Sequence, residues 1–279
     1  MPELPEAEVV ARQLQATLIG ARLTDCWVGR KDIVREGFSS LPWYAGATLQ
    51  RVERYGKSVI LQFGKEQAMR YLVAELGMTG LLLFPSAKMK FPQHVYVRMR
   101  FAEGRESELR YWNPRRFGRV LLLDQPGLDR YVARRFGCDP LTISLEDFRQ
   151  LIKSRRGRLK PLLMHQQVIA GIGNIYANEI LFRAGLHPNA QACRLPLPKI
   201  KRLYDVMRAV LQKSIVYGGS SVRDFLAPDG TEGQYKRHHL VYGKEGWPCP
   251  NQCGKTIRRL QGERSSFICP VCQCRTGRG

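Results

Sequence analysis

The spacing of apolar residues changes twice along the chain. Near the start, Val9, Val10, Leu14 and Leu18 recur at roughly helical spacing behind the stretch PELPE. Proline suits the first turn of a helix, and acids suit its positive end. Taken alone, PELPE is an ordinary helix start. From residue 21 to about 123 the pattern becomes alternating, or runs in short apolar blocks bounded by turns. RLTDCWV (22–28), LQRVERY (49–55), SVILQF (58–63), HVYVRMRF (94–101), ELRYW (108–112) and RVLLLD (119–124) read as strands. With few helical stretches between them, they predict a β-sandwich or barrel with a leading helix.

DQPGLD at 124–129 reads as a turn and a hinge. Beyond it the helical period returns in LEDFRQLIKS (145–154), KPLLMHQQV (160–168), NIYANEILFRAG (174–185) and the long stretch 198–219, with Gly and Pro at the breaks. Residues 218–243 are polar and turn-rich and read as a long mobile loop. The rest of the chain carries a cluster of cysteines. The expected class is α+β: a sandwich with a leading helix at 1–127, a helical region at 128–235 and a cysteine-bearing tail at 236–279.

At 279 residues the chain holds about two domains with real cores. No apolar run approaches the roughly 20 residues of a membrane span. No basic-then-apolar leader opens the chain, so a cytoplasmic location is expected.

Charge narrows the partner. The net charge of +21 is uneven: +6 over residues 1–127 and +15 over 128–279. A basic excess of this size favours a polyanion, and nucleic acid fits better than a membrane because no basic amphipathic anchor stands out. The cysteines narrow it further. Cys249 and Cys253 enclose three residues, Cys269 and Cys272 enclose two, and fifteen residues separate the pairs. Two close pairs of thiolates make a closed tetrahedral site, which suits one structural zinc ion. Cys274 is a spare thiol nearby, and Cys26, Cys138 and Cys193 read as ordinary buried thiols. Arg258, Arg259 and Arg264 lie between the pairs, where a metal-stapled hairpin can hold a guanidinium against phosphates.

AGIGNIYANE at 170–179 fails as a dinucleotide fingerprint: no strand precedes it and the third glycine is absent. It reads better as a tight turn entering a helix, with Asn174 and free amides available to a phosphate and Lys160 adding charge from upstream.

Taken in order, PELPE, Lys57 in RYGKS, LGMTG (76–80), NPRRFG (113–118), GIGNIYANE and the four-cysteine tail resemble formamidopyrimidine-DNA glycosylase, a bacterial base-excision repair family. The resemblance runs from Pro2 to Cys272. It implies a β-sandwich catalytic domain, a helix–two-turn–helix DNA-binding domain with a lesion-capping loop at 218–235, and a zinc finger. It implies that Pro2, with methionine removed, is the nucleophile, that Glu3 transfers protons at the sugar and that Glu6 supports the terminus. Lys57 then contacts phosphate and assists catalysis. Asn174 and Arg264 grip the phosphates beside an extruded nucleotide, with Arg264 also counted in the catalytic set. Met78, Arg115 and Phe117 fill the gap left by extrusion; Arg115 addresses the widowed cytosine and Phe117 wedges the stack. Without the resemblance, Met78 and Phe117 read as core residues.

The implied substrate is double-stranded DNA carrying an oxidised purine, preferably opposite cytosine, bound by a monomer that combines glycosylase and abasic-site lyase activities. Two rival readings share parts of this pattern. The sister enzyme endonuclease VIII, which acts on oxidised pyrimidines, usually opens PEGPE and not PELPE. A zinc-finger protein that has lost catalysis is disfavoured by intact Pro2, Glu3 and Lys57. Four positions depart from the family pattern: the C-x3-C spacing, Asn113 for the usual Asp, Glu75 for the usual His and His165 for the usual Asp.

Overall fold

The first helix, α1 (Leu4–Leu18), begins where the sequence predicts, with Pro5 in its first turn. First-turn amides have no acceptor within a helix. The Glu3 amide finds one in the Glu6 carboxylate at 2.7 Å. Ala7, Val10, Ala11, Leu14 and Leu18 form the buried face of α1 and join the main core. The structure is a computed structural model, and it describes residues 2–89, 91–222 and 224–274. Residues 275–279 of the tail region lie outside that description.

Among the described residues, nine strands follow α1: β1 (Arg22–Val28), β2 (Val34–Glu36), β3 (Thr48–Tyr55), β4 (Ser58–Lys65), β5 (Ala68–Glu75), β6 (Leu81–Leu83), β7 (Val95–Ala102), β8 (Glu108–Trp112) and β9 (Arg119–Leu123). Their hydrogen-bonded order is β2-β9-β5-β4-β3-β1-β7-β8-β6. The β1–β3 junction rests on the single pair Arg22↔Thr48, whereas β3–β4 and β1–β7 share long ladders. That weak junction is a corner. It folds the order into two layers that enclose one core, with Leu23, Leu49, Phe63, Leu72, Met99 and Tyr111 inside. On β7 the alternation is plain: Val95, Val97, Met99 and Phe101 point inward, while Arg98 and Arg100 are exposed.

At 124–129 the structure differs from the turn that the sequence predicts. The stretch read as a hinge opens a helix, α2 (Gln125–Arg135). Pro126 sits in its first turn, and the Asp124 carboxylate accepts the Gly127 amide at 2.8 Å as a cap. Leu128 and Tyr131 bury the inner face of α2 beside β5 and β9.

Further on lie α3 (Leu145–Lys153), capped by Ser144, then α4 (Leu159–Met164) and α5 (Asn174–Ala184). Helix α4 stops at His165, short of the predicted 168. Gly185 ends α5 in the left-handed region, φ +68°, where a side chain is disfavoured. The long α6 (Leu197–Val216) and a hairpin of β10 (Arg258–Leu260) and β11 (Ser266–Ile268) complete the elements.

Contacts divide the chain into two units, Met1–Arg135 with Ile215–Lys236, and Phe136–Ser214 with Arg237–Gly279. The 218–235 segment therefore groups with the sandwich, although the sequence reading placed it with the helices. Nor is it an open loop. Ser220 bridges Gln234, the Gly233 amide donates to Ser221 Oγ at 2.8 Å, and the Phe84 amide donates to the Pro228 carbonyl at 2.7 Å. Phe225 is buried in the sandwich core. These bonds pin the described part of a segment that its polar composition reads as a long loop. No helix among the described residues is long and apolar enough to cross a membrane.

Candidate active site and metal cluster

In the first unit the N-terminal residues are buried. Pro2 is buried, and Glu3 and Glu6 are 1% and 0% exposed. Buried carboxylates need hydrogen bonds to offset their lost hydration. Glu6 accepts such bonds at both oxygens: its Oε2 accepts the Glu3 amide, and its Oε1 accepts the Ser220 amide, each at 2.7 Å. One carboxylate thus ties the residue after Pro2 to the 215–236 segment. A Cβ on Gly219, φ +82°, would stand 2.8 Å from Glu6 Oε1, so this approach requires glycine. Lys57 lies in the tight turn between β3 and β4, next to the closing pair Tyr55↔Ser58.

Met78 and Phe117 are on the surface, 38% and 54% exposed, and not in the core where their hydrophobicity alone would put them. Each sits on a turn, and the two turns abut. Gly77, φ +61°, passes so close to the 117–118 backbone that a Cβ would lie 2.5 Å from the Gly118 nitrogen. The Arg115 guanidinium stacks over the Phe117 ring at 4.9 Å from its centroid. Arg116 takes φ +55°, which turns the chain between them. Asn113 is fully buried and donates to the Tyr111 hydroxyl at 3.1 Å, so an amide serves at this position.

The second unit brings together Asn174, Lys160 and the Arg264 turn of the β10–β11 hairpin. Gln166 holds the glycine turn before α5: its side-chain amide donates to the Met164 and Ile172 carbonyls, and its oxygen accepts the Gly171 amide. Lys160, expected to add charge near Asn174, is 4% exposed. Its ammonium donates to the Arg264 carbonyl at 3.2 Å, the Ser265 carbonyl at 2.7 Å and Ser266 Oγ at 2.9 Å. It therefore lies beneath the hairpin turn that presents the exposed Arg264.

Two residues of NIYANE have roles that the sequence alone does not show. Asn178 donates to the Asn174 carbonyl at 2.7 Å and accepts the Phe267 amide at 2.7 Å, which links the start of α5 to β11. Glu179, 0% exposed, accepts the amides of Leu240, Val241 and Tyr242, each at 2.9 Å. A polar Asn-Glu pair inside a helix that is otherwise buried was the available signal.

Cys249, Cys253, Cys269 and Cys272 converge, with all four sulfurs within 4.8 Å of one another. The contacts Cys249–Cys272 and Cys253–Cys269 are 3.7 and 3.3 Å. Zinc–sulfur bonds of about 2.3 Å at tetrahedral angles require sulfurs roughly 3.8 Å apart, so this donor set fits a metal ion. The extra residue of C-x3-C is taken up in the turn, where Gln252 adopts φ +53°. Phe182, Val241 and Ile257 pack around the thiols. Cys274 is exposed and outside the cluster. Cys26 and Cys138 are half-buried; burial is the main cause that pushes their thiols up to about 12 and about 11, which keeps both protonated.

Comparison with known proteins follows the same geography. The family pattern described as "Formamidopyrimidine-DNA glycosylase N-terminal domain" matches residues 1–120, and that of the corresponding H2TH domain matches 136–226. The chain is 39% identical over 280 residues to the formamidopyrimidine-DNA glycosylase of Solibacter usitatus, covering 99% of this chain and 100% of that protein. It is 38% identical to that of Methylobacillus flagellatus, covering 98% and 96%. Among solved structures it resembles the wild-type Lactococcus lactis Fpg (MutM) in complex with DNA containing N7-benzyl-Fapy-dG, with TM-score 0.85, 32% identity and coverage of 98% and 100%. The Thermus thermophilus MutM (Fpg) protein matches with TM-score 0.85, 32% identity and coverage of 99% and 100%. With matches that span both units from end to end, the chain belongs to the formamidopyrimidine-DNA glycosylase family.

Proposed function

We propose that this protein is a bifunctional DNA glycosylase and abasic-site lyase that removes oxidised purines, 8-oxoguanine and formamidopyrimidines, from duplex DNA in base excision repair. The observation that carries this reading is the buried Pro2-Glu3-Glu6 start, with both carboxylates withdrawn from water at the chain's first residues. A terminal amine has a reference pKa of about 8, against about 10.4 for lysine, so more of it is neutral and nucleophilic near neutral pH.

In this mechanism the Pro2 nitrogen attacks the sugar's anomeric carbon. The bond to the base breaks, and its electron pair leaves with the base, which takes up a proton. Glu3 supplies a proton to the sugar ring oxygen as the ring opens. The resulting secondary-amine adduct is a cationic iminium, which withdraws electrons from the sugar. Loss of a C2′ proton expels the 3′ phosphate, and a second proton loss expels the 5′ phosphate. Lys57, Asn174 and Arg264 bind phosphates around the extruded nucleotide, and Met78, Arg115 and Phe117 occupy the vacated stack, with Arg115 facing the cytosine. Exposure of two bulky apolar side chains on abutting turns supports that filling role. When bound to the four thiols, a zinc ion supplies a cross-link that folds the hairpin carrying Arg264. Lys160 serves DNA binding through its hold on that hairpin. The protein works as a monomer on cytoplasmic DNA.

The test is borohydride trapping on duplexes carrying 8-oxoguanine opposite cytosine, with an oxidised pyrimidine as comparison. A covalent adduct on the purine duplex is expected, and none in a form whose proline nitrogen is blocked by a retained residue. Absence of any adduct with the free terminus overturns the reading.

A further inference from the structure

Glu75 is the point where three turns of the first unit meet. In the sheet it is flanked by Ser58 of β4 and Arg119 of β9. Ser58 directly follows Lys57, Met78 lies three residues beyond Glu75, and Phe117 lies two before Arg119. The Glu75 carbonyl accepts the Tyr111 hydroxyl at 2.7 Å. That carbonyl would also stand 2.3 Å from a Cβ placed on Gly118, so the Phe117 turn crosses it without room for a side chain.

The side chain of Glu75 is 15% exposed and has two partners among the described residues. Tyr131 Oη donates to its Oε1 at 2.9 Å, and the Arg135 guanidinium pairs with the same oxygen at 3.0 Å. Arg135 also stacks over the Tyr131 ring, 5.2 Å from the centroid. Ser58 Oγ lies 2.9 Å from Tyr131 Oη. A tyrosine hydroxyl has one proton, and here it goes to the carboxylate, so Ser58 donates to Tyr131. Burial, and then the Glu75 charge, push the Tyr131 pKa well above its ordinary value, which keeps that proton in place. The chain of bonds runs from Ser58 through Tyr131 to Glu75, and Arg135 closes it. A carboxylate at this end of the sheet is by charge a poor neighbour for a polyanion, and Arg135 offsets it.

We propose that Glu75, Tyr131 and Arg135 are positioning residues that fix the Lys57 turn against the row of strand ends bearing Met78 and Phe117. Tyr131 and Glu75 act through Lys57, Arg135 also offsets the Glu75 charge, and none of the three touches substrate. The proposal rests on the glycosylase–lyase reading, in which Lys57 works at a phosphate.

Tyr131→Phe removes one hydroxyl and keeps the ring and the Arg135 stack. In single-turnover cleavage of an 8-oxoguanine duplex its rate should fall about tenfold, since small misplacements of a catalytic group carry losses of that order. Its Kd for an uncleavable abasic-analogue duplex should change less than about twofold. In a Lys57→Ala background the same substitution should add nothing. Ser58→Ala should repeat both results, and it serves as the readout if Tyr131→Phe is unfolded by circular dichroism. Arg135→Ala should weaken DNA binding about tenfold at low salt, and adding Glu75→Gln should recover most of that. A wild-type rate in Tyr131→Phe, or equal slowing with and without Lys57, overturns the proposal. So does a failure of Glu75→Gln to rescue Arg135→Ala. Wild-type protein that cleaves none of these duplexes overturns the glycosylase reading itself, and this proposal with it.

Discussion

The Glu6 carboxylate accepts the Ser220 amide at 2.7 Å, a bond between residues 214 positions apart. Its other oxygen accepts the Glu3 amide. The start of the chain and the 215–236 segment are therefore held by one buried acceptor. In Glu6→Gln an amide group must face one of those N–H donors. A buried donor left without an acceptor costs about 1–3 kcal/mol, or roughly 10–100-fold if it falls on the reaction. We expect that loss in base release from an 8-oxoguanine duplex and a smaller loss on a preformed abasic duplex, where no base needs covering. Equal losses on the two substrates would confine Glu6 to the terminus.

Glu3 is 1% exposed and adjoins the proposed nucleophile. Glu3→Gln keeps its size but cannot transfer a proton. General acid–base steps contribute about 10²–10⁴-fold, so base excision in single-turnover assays should fall within that range while DNA binding persists. A loss under about threefold would remove Glu3 from this role.

Much of the architecture was legible because local pattern and tertiary structure agree. The alternation in VYVRMRF places Val95, Val97, Met99 and Phe101 inside, as observed. The four cysteines could be paired on spacing alone. Strand β5 was not legible. AMRYLVAE is rich in good helix formers, and only its full ladders with β4 and β9 make it a strand. Helix α2 was hidden by Pro126 and Gly127, which look like a turn until Asp124 is seen to cap them. The burial of Lys160 was not legible, because lysine is rarely buried. Its ammonium instead meets three oxygens of the β10–β11 hairpin turn.

That burial of Lys160 carries a prediction. Lys160→Met keeps length and apolar bulk but leaves the Arg264 and Ser265 carbonyls without their charged donor. Hydrogen bonds to charged groups are worth about 1.5–3 kcal/mol each. The hairpin turn should loosen, and the Kd for lesion duplex should rise about tenfold or more. In an Arg264→Ala background the same change should matter little, because the side chain it positions is gone. Full additivity in that cycle would show that Lys160 serves stability alone.

Chelation tests the cysteine cluster. Removing metal should unfold the hairpin, whose strands are only three residues each, and leave the sandwich folded on its own core. DNA affinity should drop while near-ultraviolet dichroism from the first unit persists. Cys274 lies outside the cluster, so Cys274→Ser should retain one equivalent of metal by atomic absorption, and Cys253→Ser should lose it. The reverse pattern would reassign the ligands.

Glu8 gives the protein an acid-sensitive contact. It lies on α1 and accepts Arg54 of β3 at Oε2 and Arg12 at Oε1, both at 2.8 Å. Burial works against its charged form, but the bonds from Arg54 and Arg12 outweigh burial and hold its carboxyl below the ordinary range. A carboxyl whose pKa is depressed by folding stabilises the fold at pH values above its unfolded pKa, near 4.5. That contribution fades as pH falls through the lower folded value. Arg54 is 5% exposed at its side chain, so its loss of a partner is felt more than in a surface pair. Glu8→Gln should therefore melt about 1–3 °C below wild type at pH 7. The gap should hold down to about pH 5 and narrow as pH falls below about 4.5 towards the lower folded value. Scanning calorimetry of both proteins across that window decides it. A gap that does not narrow at all below about pH 4.5 would mean that Glu8 stabilises α1 by packing and not by its charge.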